Sequence, residues 1–444
     1  MTQAVPTTGK SILDILFGPP LLDADKKERV SPATGIPVFG LDALSSAAYG
    51  PEAALTILLV LGSAGIGYIL PITFTIIVLL GIVYFSYRQT IAAYPSGGGS
   101  YTVASANLGR RLGLVAGAAL LVDYILNVAV GISAGVGALV SAFPGLYPHT
   151  LALCLGILLI LTIVNLRGTR EAGLAFIVPT YVFVGCLGIV IVIGLVKTAL
   201  NSGHPIPVAP IPSASPAVTA VSLWLLLKAF ASGCTAMTGV EAVSNGVPVF
   251  RNPNVENART TLTTIIAILM VLLAGIAFLC RWYGITATPQ DQAGYQSVLS
   301  QLTTAVSGRN IFYYITMGAV LAVLALSANT SFADFPRVCR SIAEDGYLPH
   351  AFTIRGRRLV FSVGIWVLAL LAGLLLVVFG GITDRLIPLF AIGAFSAFTF
   401  SQTGMVVHWK RNGGPRARRD MMINGLGAVA TGRGPHEPRF LYFV

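Results

Sequence analysis

Long uncharged apolar segments are the feature that most constrains the fold of this chain. Residues 151–166, 172–195 and 265–279 contain no Asp, Glu, Lys or Arg. A helix needs about 20 mostly apolar residues to cross the hydrocarbon core of a bilayer. Only 10% of the 444 residues are charged, against about 25% in a typical soluble domain. The segments therefore predict a polytopic α-helical membrane protein.

The apolar pattern predicts ten membrane spans joined by short loops. These spans are residues 36–62, 66–87, 112–141, 150–166, 172–197, 220–249, 260–284, 310–333, 359–380 and 386–408. Basic residues concentrate in cytoplasmic loops. Loops on the side of the N-terminus hold most of the Lys and Arg residues, and the opposite set holds Lys197, Arg281, Arg309 and Arg385. We expect a multi-pass plasma-membrane protein with both termini in the cytoplasm.

The same pattern divides the chain into three parts. They are a cytoplasmic tail at 1–35, a core at 36–408 and a basic tail at 409–444, with core repeats at 36–197 and 220–408. The net charge of +11 fits membrane-flanking residues and does not predict a nucleic-acid partner. The five cysteines form no CxxC pair or Cys/His cluster, so neither zinc nor another cofactor is predicted.

Two spans are rich in glycines and small hydroxyls and also carry acids. The segments concerned are residues 35–51 in the first span and residues 230–246 in the sixth span. Glycine- and proline-interrupted helices in matching positions of two halves indicate the binding site of a transporter. Tight packing through small residues is the alternative, but it does not account for acids at the same place. The glycine-rich stretch at 95–101 lacks the Gly-Lys-Ser/Thr ending of a phosphate loop, so we interpret it as a flexible joint.

Ionisable and hydroxyl side chains inside the spans form the candidate site. An acid at the bilayer centre costs about 2.5–3.5 kcal/mol, which predicts a functional reason for each one. The candidates are Asp42, Tyr49, Asp123, Tyr124, Asn127, Thr238 and Glu241. Carboxylate and hydroxyl oxygens suit a hard cation, and a carboxylate in a dry cavity can carry a coupling proton.

Structural interpretations of the polar groups stay open beside the functional one. Lys228 and either Asp123 or Glu241 would form a buried ion pair that holds helices in register. Glu52, nearer the outer end of its span, is either a gate or an interfacial residue. Residues 329–337 end the eighth span and predict an inner gate or a loop anchor.

Four segments carry a resemblance to a known family. Residues 41–50, 123–130, 239–246 and 401–409 resemble KimA-type potassium–proton symporters of the amino acid–polyamine–organocation (APC) superfamily, and the similarity spans residues 10–432. The resemblance implies an all-α fold of the LeuT or APC type. This fold has a five-plus-five inverted repeat of about ten transmembrane helices, of which helices 1 and 6 are broken.

The resemblance also implies roles for individual residues. Cation ligands or coupling acids are expected at Asp42, Tyr49, Asp123, Tyr124, Thr238 and Glu241, with potassium held by Asp42, Tyr49, Tyr124 and Thr238. Asn127, Gly131 and Phe390 depart from the Thr, Ser and Tyr of the family. Asn127 still offers a carbonyl oxygen, whereas Gly131 and Phe390 offer no side-chain ligand.

The C-terminal region departs from the family as well. The family continues into two further spans and a cytoplasmic domain that forms a dimer, whereas residues 424–432 are too short to cross a bilayer. We expect a truncated chain whose tail is a remnant of the missing spans. Dimerisation through that domain does not follow for this sequence.

The leading hypothesis is a proton-coupled symporter of potassium or a similar monovalent cation. The alternative is a proton-coupled amino acid permease of the same fold, for which Gly131 and Phe390 would leave room for an organic side chain. A passive channel or a sensor stays open as a third class. The sequence shows neither a nucleophile–base pair nor a metal cluster, so an enzyme is not predicted.

Overall fold

The helical fold follows from apolar segments whose backbone polar groups must pair with one another inside a bilayer. The structure is a computed structural model that describes residues 29–167, 173–212, 216–354 and 361–432. Its α-helices are α1 (Pro32–Phe39), α2 (Leu41–Leu58), α3 (Ile69–Ala93), α4 (Ser100–Leu108), α5 (Arg110–Ala142), α6 (Thr150–Arg167), α7 (Gly173–Leu200), α8 (Leu223–Gly233), α9 (Ala242–Asn245), α10 (Asn254–Tyr283), α11 (Val298–Ser307), α12 (Ile311–Glu344), α13 (Ser362–Val378), α14 (Thr383–Asn412) and α15 (Ala417–Gly432). In the described ranges, β pairing is limited to one isolated bridge between Val30 and Phe250.

Each of the ten predicted spans corresponds to helical structure. Eight helical segments are long and apolar enough to cross a membrane. The longest, Leu41–Ala93, contains two predicted spans. They are separated at Gly62, where φ is 58° and the chain departs from helical geometry. Helix α13 adds a shorter apolar helix of 17 residues, at the lower end of the range of about 17–25 that can span. The all-α polytopic fold class is confirmed.

Two faces of the molecule follow from the alternation of the spans. The N-terminal face carries the start of α1, the loop at 94–99, helix α4 and the loop that follows α12. The far face carries residues 59–68, 284–297 and 379–382, together with helix α11. The site described below lies between these faces, where α2 packs against α8 and the segment after it.

Helix α15 occupies part of the predicted C-terminal tail. It packs against α3 and α14, and Asn424 is fully buried there, accepting a hydrogen bond from Ser86 Oγ at 2.6 Å. The amide of Asn424 also donates to Gln89 Oε1 at 2.7 Å. Residues 417–432 are therefore held on the core by buried polar contacts, while residues 433–444 lie outside the described part.

Candidate functional site

The first break lies in the first span, at Gly40. Helix α1 ends at Phe39, helix α2 begins at Leu41, and Gly40 has φ −100° and ψ −2° between them. Asp42 sits in the first turn of α2 and is buried. The N-terminus of a helix carries partial positive charge, which stabilises a carboxylate at this position. The break therefore places an acid in the interior with a helix terminus behind it.

The second break lies in the sixth span and is wider. After α8, residues Cys234–Met237 form a 3₁₀ turn, Thr238 is extended with ψ 161°, and Gly239 has φ 76°. Helical structure resumes with α9 at Ala242. Gly239 is required here, because a φ of 76° lies in the left-handed region that residues with a Cβ avoid. The backbone from Thr238 to Glu241 is thereby exposed to the centre of the molecule.

The two breaks touch each other. A Cβ placed on Gly239 would lie 2.7 Å from the Asp42 side chain, so only glycine allows this approach. The Tyr49 hydroxyl and Thr238 Oγ1 are 2.9 Å apart and share a hydrogen bond. All of these side chains are buried. Asp42 lies within electrostatic range of Tyr49, so the first break and the Tyr49–Thr238 pair lie in one region of the interior.

Glu241 lies at the end of the second break and is fixed by two donors. Its Oε2 accepts hydrogen bonds from Ser100 Oγ at 2.6 Å and from the Tyr87 hydroxyl at 2.9 Å. Nearby, Asn245 donates to the Tyr124 hydroxyl at 3.4 Å. Glu241 and Tyr124 thus form a second part of the site, on the side of the N-terminal face.

Asp123 and Asn127 come from α5, one helical turn apart. Asn127 donates to Ser331 Oγ of α12 at 2.9 Å and lies beside Asp42. Asp123 lies within electrostatic range of both Asp42 and Glu241. The α5 residues therefore lie between the two parts of the site.

The carboxylates of the site share one property. Within the described residues, no hydrogen-bond partner reaches the buried atoms Asp42 Oδ1, Asp123 Oδ1 and Glu241 Oε1. An unpaired carboxylate oxygen in a dry interior is costly unless a proton or a cation compensates its charge. The site is therefore built to receive positive charge.

The glycine-rich loop at 95–101 belongs to the site, which the sequence analysis missed. Gly98 N–H donates to the Ser244 carbonyl at 3.0 Å, and a Cβ on Gly99 would lie 2.2 Å from Asn245 Oδ1. The glycines let this loop lie directly against the second break. The interpretation as a joint did not include these hydrogen bonds to the broken span.

Helix α4 links this loop to the N-terminal face. Ser100 at its first position holds Glu241, and the next residue, Tyr101, donates a hydrogen bond to Asp345 in the turn that follows α12. Burial and this hydrogen bond raise the pKa of Tyr101 to about 12, so its hydroxyl remains a donor at neutral pH. The position of Glu241 is thereby tied to the loops of the N-terminal face.

A cavity of about 210 Å³ reaches the first break from the N-terminal face. It is lined by Leu41 beside Asp42, and by Asp334 and Arg337 of α12. Asp334 forms an ion pair with Arg337 at 3.0 Å and lies within electrostatic range of Asp42. Asp334 is thus a further acid between the site and the N-terminal face. From the sequence, residues 329–337 were expected only to form an inner gate or a loop anchor.

Two departures from the family do not leave room for an organic side chain. A Cβ on Gly131 would lie 2.9 Å from the Leu324 carbonyl oxygen, because α5 and α12 are in close contact there. Phe390 is fully buried and packs on Tyr49, with ring centroids 6.3 Å apart. The expectation of free space at these two positions is therefore wrong.

Among the described residues, no group of three or more His, Cys, Asp and Glu side chains forms a metal cluster. The predicted potassium ligands are a different kind of set, with one carboxylate and the hydroxyls of tyrosine and threonine. Tyr124 lies with Glu241 and not with the Tyr49–Thr238 pair in the contacts of this structure. Their roles as ligands remain predictions.

Comparison with known proteins decides the family. The sequence model of amino acid permeases matches residues 40–432. The chain belongs to the amino acid permease family. This permease is 42% identical over 422 residues to a protein described as potassium transporter KimA of Bacillus subtilis (strain 168), covering 95% of this chain and 68% of that protein.

A second relative is more distant. The permease is 24% identical over 360 residues to the branched-chain amino acid permease BcaP of Lactococcus lactis subsp. cremoris (strain MG1363), covering 75% of this chain and 72% of that protein. These comparisons confirm the predicted membership of the APC superfamily, to which the amino acid permeases belong. The protein is therefore a multi-pass membrane transporter and not an enzyme.

Proposed function

We propose that this permease carries potassium, or a similar monovalent cation, across the plasma membrane in symport with protons. The observation that carries the proposal is a set of buried carboxylate oxygens around the two breaks that have no partner among the described residues. A cation and protons are the species that would neutralise such a set without adding bulk. The 42% identity to a potassium transporter supports this choice of cargo.

The cation ligands would come from both breaks. Asp42 supplies a carboxylate oxygen, and Tyr49 and Thr238 supply hydroxyl oxygens that already lie within 2.9 Å of each other. The unwound backbone from Thr238 to Glu241 offers carbonyl oxygens of the kind that coordinate ions at discontinuous helices. Tyr124 would join this set when the second part of the site closes on the first.

Asp123 and Glu241 would carry protons or balance the cargo charge. Each has a buried oxygen to which no partner is assigned in the described ranges, and each lies in electrostatic range of another acid of the site. Acids that repel one another bind a proton more readily than an isolated acid. Binding of a cation in the site would change the proton affinity of these acids, and this dependence would couple cation binding to proton binding.

An amino acid is the weaker candidate for the cargo. Its carboxylate would approach the first break, where Asp42 would repel it. The tight contacts at Gly131 and Phe390 leave little space for its side chain. The relative that is described as an amino acid permease is also the more distant of the two, at 24% identity.

The basic loops predict that the N-terminal face lies in the cytoplasm, which would make it the side of release during uptake. The 210 Å³ cavity would then be the release path, and Asp334 would meet the cation as it leaves Asp42. Rocking of one helix bundle against another around the two breaks would alternate access between the faces.

Uptake into proteoliposomes tests the proposal. We expect saturable uptake of tracer rubidium, competition by potassium, and faster uptake when the outer solution is more acidic than the lumen. Labelled branched-chain amino acids, offered to the same vesicles, should not accumulate. Amino acid uptake without rubidium uptake would refute the cation assignment, and rubidium uptake that ignores the proton gradient would refute the coupling.

A further inference from the structure

Glu52 of α2 is the one acid of the first span that the proposed ion site does not use. It lies three residues after Tyr49, toward the far face, and is buried. Both of its oxygens are occupied: Oε1 accepts from the Tyr295 hydroxyl at 2.6 Å, and Oε2 accepts from Val298 N–H at 3.0 Å. Glu52 therefore binds residues 285–298, a segment that we call the far-face loop.

The Glu52–Tyr295 contact separates two cavities. A cavity of about 20 Å³ is lined by Tyr49, Glu52 and Asp384 and lies next to the ion site. A larger cavity of about 390 Å³ is lined by Asp291 and other residues of the far face. Tyr295 lines both cavities. Moving this one side chain would join the space beside Tyr49 to the space at the far face.

Further hydrogen bonds fix the far-face loop to both halves of the protein. Gln290 Oε1 accepts from Thr383 N–H of α14 at 2.6 Å. Ser297 N–H donates to Ser141 Oγ of α5 at 2.8 Å. Together with Glu52 of α2, these contacts attach one loop to three spans. A loop held in this way closes the far face in this structure.

Glu52 differs from the acids of the ion site in how its oxygens are used. Asp42 and Glu241 each keep a buried oxygen to which no donor is assigned in the described part of the chain, whereas Glu52 gives both oxygens to the loop. A buried hydrogen bond is costly to break when its donor and acceptor are left without partners. Opening of the far face must break these bonds and leave a free carboxylate at the entrance.

We infer that Glu52 is the latch of the far-face gate, with Tyr295 as the residue that blocks the passage. When the loop lifts, the Glu52 side chain is released at the entrance of the site; when the loop returns, the Tyr295 hydroxyl and Val298 N–H bond to it again. Glu52 is thus a positioning residue for the transport cycle. The inference rests on alternating access in the proposed function, but not on the identity of the cargo.

The accessibility of a cysteine in the small cavity tests this latch. Ala134 lines that cavity and is half-buried, so Ala134→Cys provides a reporter, while the five native cysteines are buried. A membrane-impermeant thiol reagent is applied to intact cells and, separately, to inverted vesicles, without potassium. The protein without Ala134→Cys gives the background.

We combine the reporter with Tyr295→Phe and with Glu52→Gln. Loss of one of these two buried hydrogen bonds should raise the rate of labelling from the far face by about tenfold. Tyr283→Phe is the matched control, because its hydroxyl has no partner among the described residues. Asp384→Asn is the second control, since it leaves both Glu52 bonds in place and removes a like charge that acts on Glu52, so that labelling should not rise.

Faster labelling in both latch variants, with both controls unchanged, supports the latch. Equal labelling rates in Tyr295→Phe and Tyr283→Phe would overturn it. This comparison holds even if Glu52→Gln fails to fold. The labelling readout does not depend on cargo. If the unsubstituted protein fails to take up rubidium while labelling still rises in the latch variants, the cation proposal fails and the gate stands.

Discussion

The two helix breaks differ in how much backbone they unwind and in what surrounds their acids. The first break involves Gly40 alone, and Asp42 follows it in a helical turn. The second break runs from Thr238 to Glu241, and its acid is clamped by Ser100 and Tyr87. The narrow break leaves its carboxylate available, whereas the wide break is supported by side chains from elsewhere in the chain.

This difference indicates a division of work between the breaks. The helix N-terminus favours the ionised form of Asp42, and an ionised acid with an available oxygen is suited to bind a cation directly. An acid held by two hydroxyl donors keeps its position whether or not a cation is present, and is suited to exchange a proton. We therefore expect changes at Asp42 to affect binding most and changes at Glu241 to affect coupling most.

Asp42→Asn should have the largest effect. The variant loses the carboxylate of the narrow break, and we expect rubidium uptake to fall by about a hundredfold or more, equivalent to about 2.7 kcal/mol. Asp291→Asn is the matched control, because its partly exposed carboxylate pairs with Arg385 on the far face. Normal rubidium uptake by Asp42→Asn, with equal amounts of protein in the membrane, would show that the first break does not bind the cargo.

Gly239→Ala tests the contact between the breaks. A Cβ would lie 2.5 Å from Ala43 N, and a left-handed φ costs about 1–2 kcal/mol for a residue other than glycine. We expect uptake about tenfold lower, together with a lower unfolding temperature. Gly185→Ala in α7 is the control, since a Cβ there meets no described atom within 4 Å. Equal thermal unfolding and uptake of the two variants would show that the close approach is unimportant.

Glu241→Gln should separate the roles of the two breaks. The amide keeps the size of the side chain but carries no exchangeable charge, so we expect uptake to fall about tenfold and to lose its response to a proton gradient. Uptake is measured in proteoliposomes with and without that gradient. Glu256→Gln, in the first turn of α10, should respond to the gradient as the unsubstituted protein does. A full gradient response in Glu241→Gln would assign the proton to another group.

Ser100→Ala should have the smallest effect. It removes one of the two donors to Glu241 Oε2, while Tyr87 remains. The loss of about 1 kcal/mol predicts a change of about fivefold in uptake. Ser341→Ala is the control, because the only described hydrogen bond of the Ser341 hydroxyl goes to a carbonyl of its own helix, at 3.2 Å. An unchanged rate in Ser100→Ala would mean that Tyr87 alone positions Glu241.

The spans and the breaks could be predicted from sequence because their signals are local. Apolar length gives the spans, and glycines beside an acid gave the positions of Asp42 and of the Thr238–Glu241 segment. The partners of Glu241 could not be predicted in this way, since Ser100 and Tyr87 are 141 and 154 positions away. One signal was present: three glycines before Ser100 permit a close approach of backbones.

The choice between the two roles left open for Glu52, and the position of the C-terminal helix, could not be predicted for a similar reason. Glu52 shares its span with Asp42 and has no polar neighbour in sequence that identifies its role, and only the folded loop brings Tyr295 to it, across 243 positions. Helix α15 carries polar residues such as Asn424 on its buried side, so its sequence resembles a solvated tail. Hydrophobic patterning cannot identify contacts that are made by buried polar groups.

The most direct measurement of the central claim is the position of a bound heavy cation. Crystals grown with rubidium in place of potassium, measured at the rubidium absorption edge, give the location of the ion from its anomalous scattering. We predict a peak between the two breaks, within coordination distance of Asp42, Tyr49 and Thr238. Protein crystallised with rubidium that shows no peak there, or a peak only at surface acids, would contradict the account.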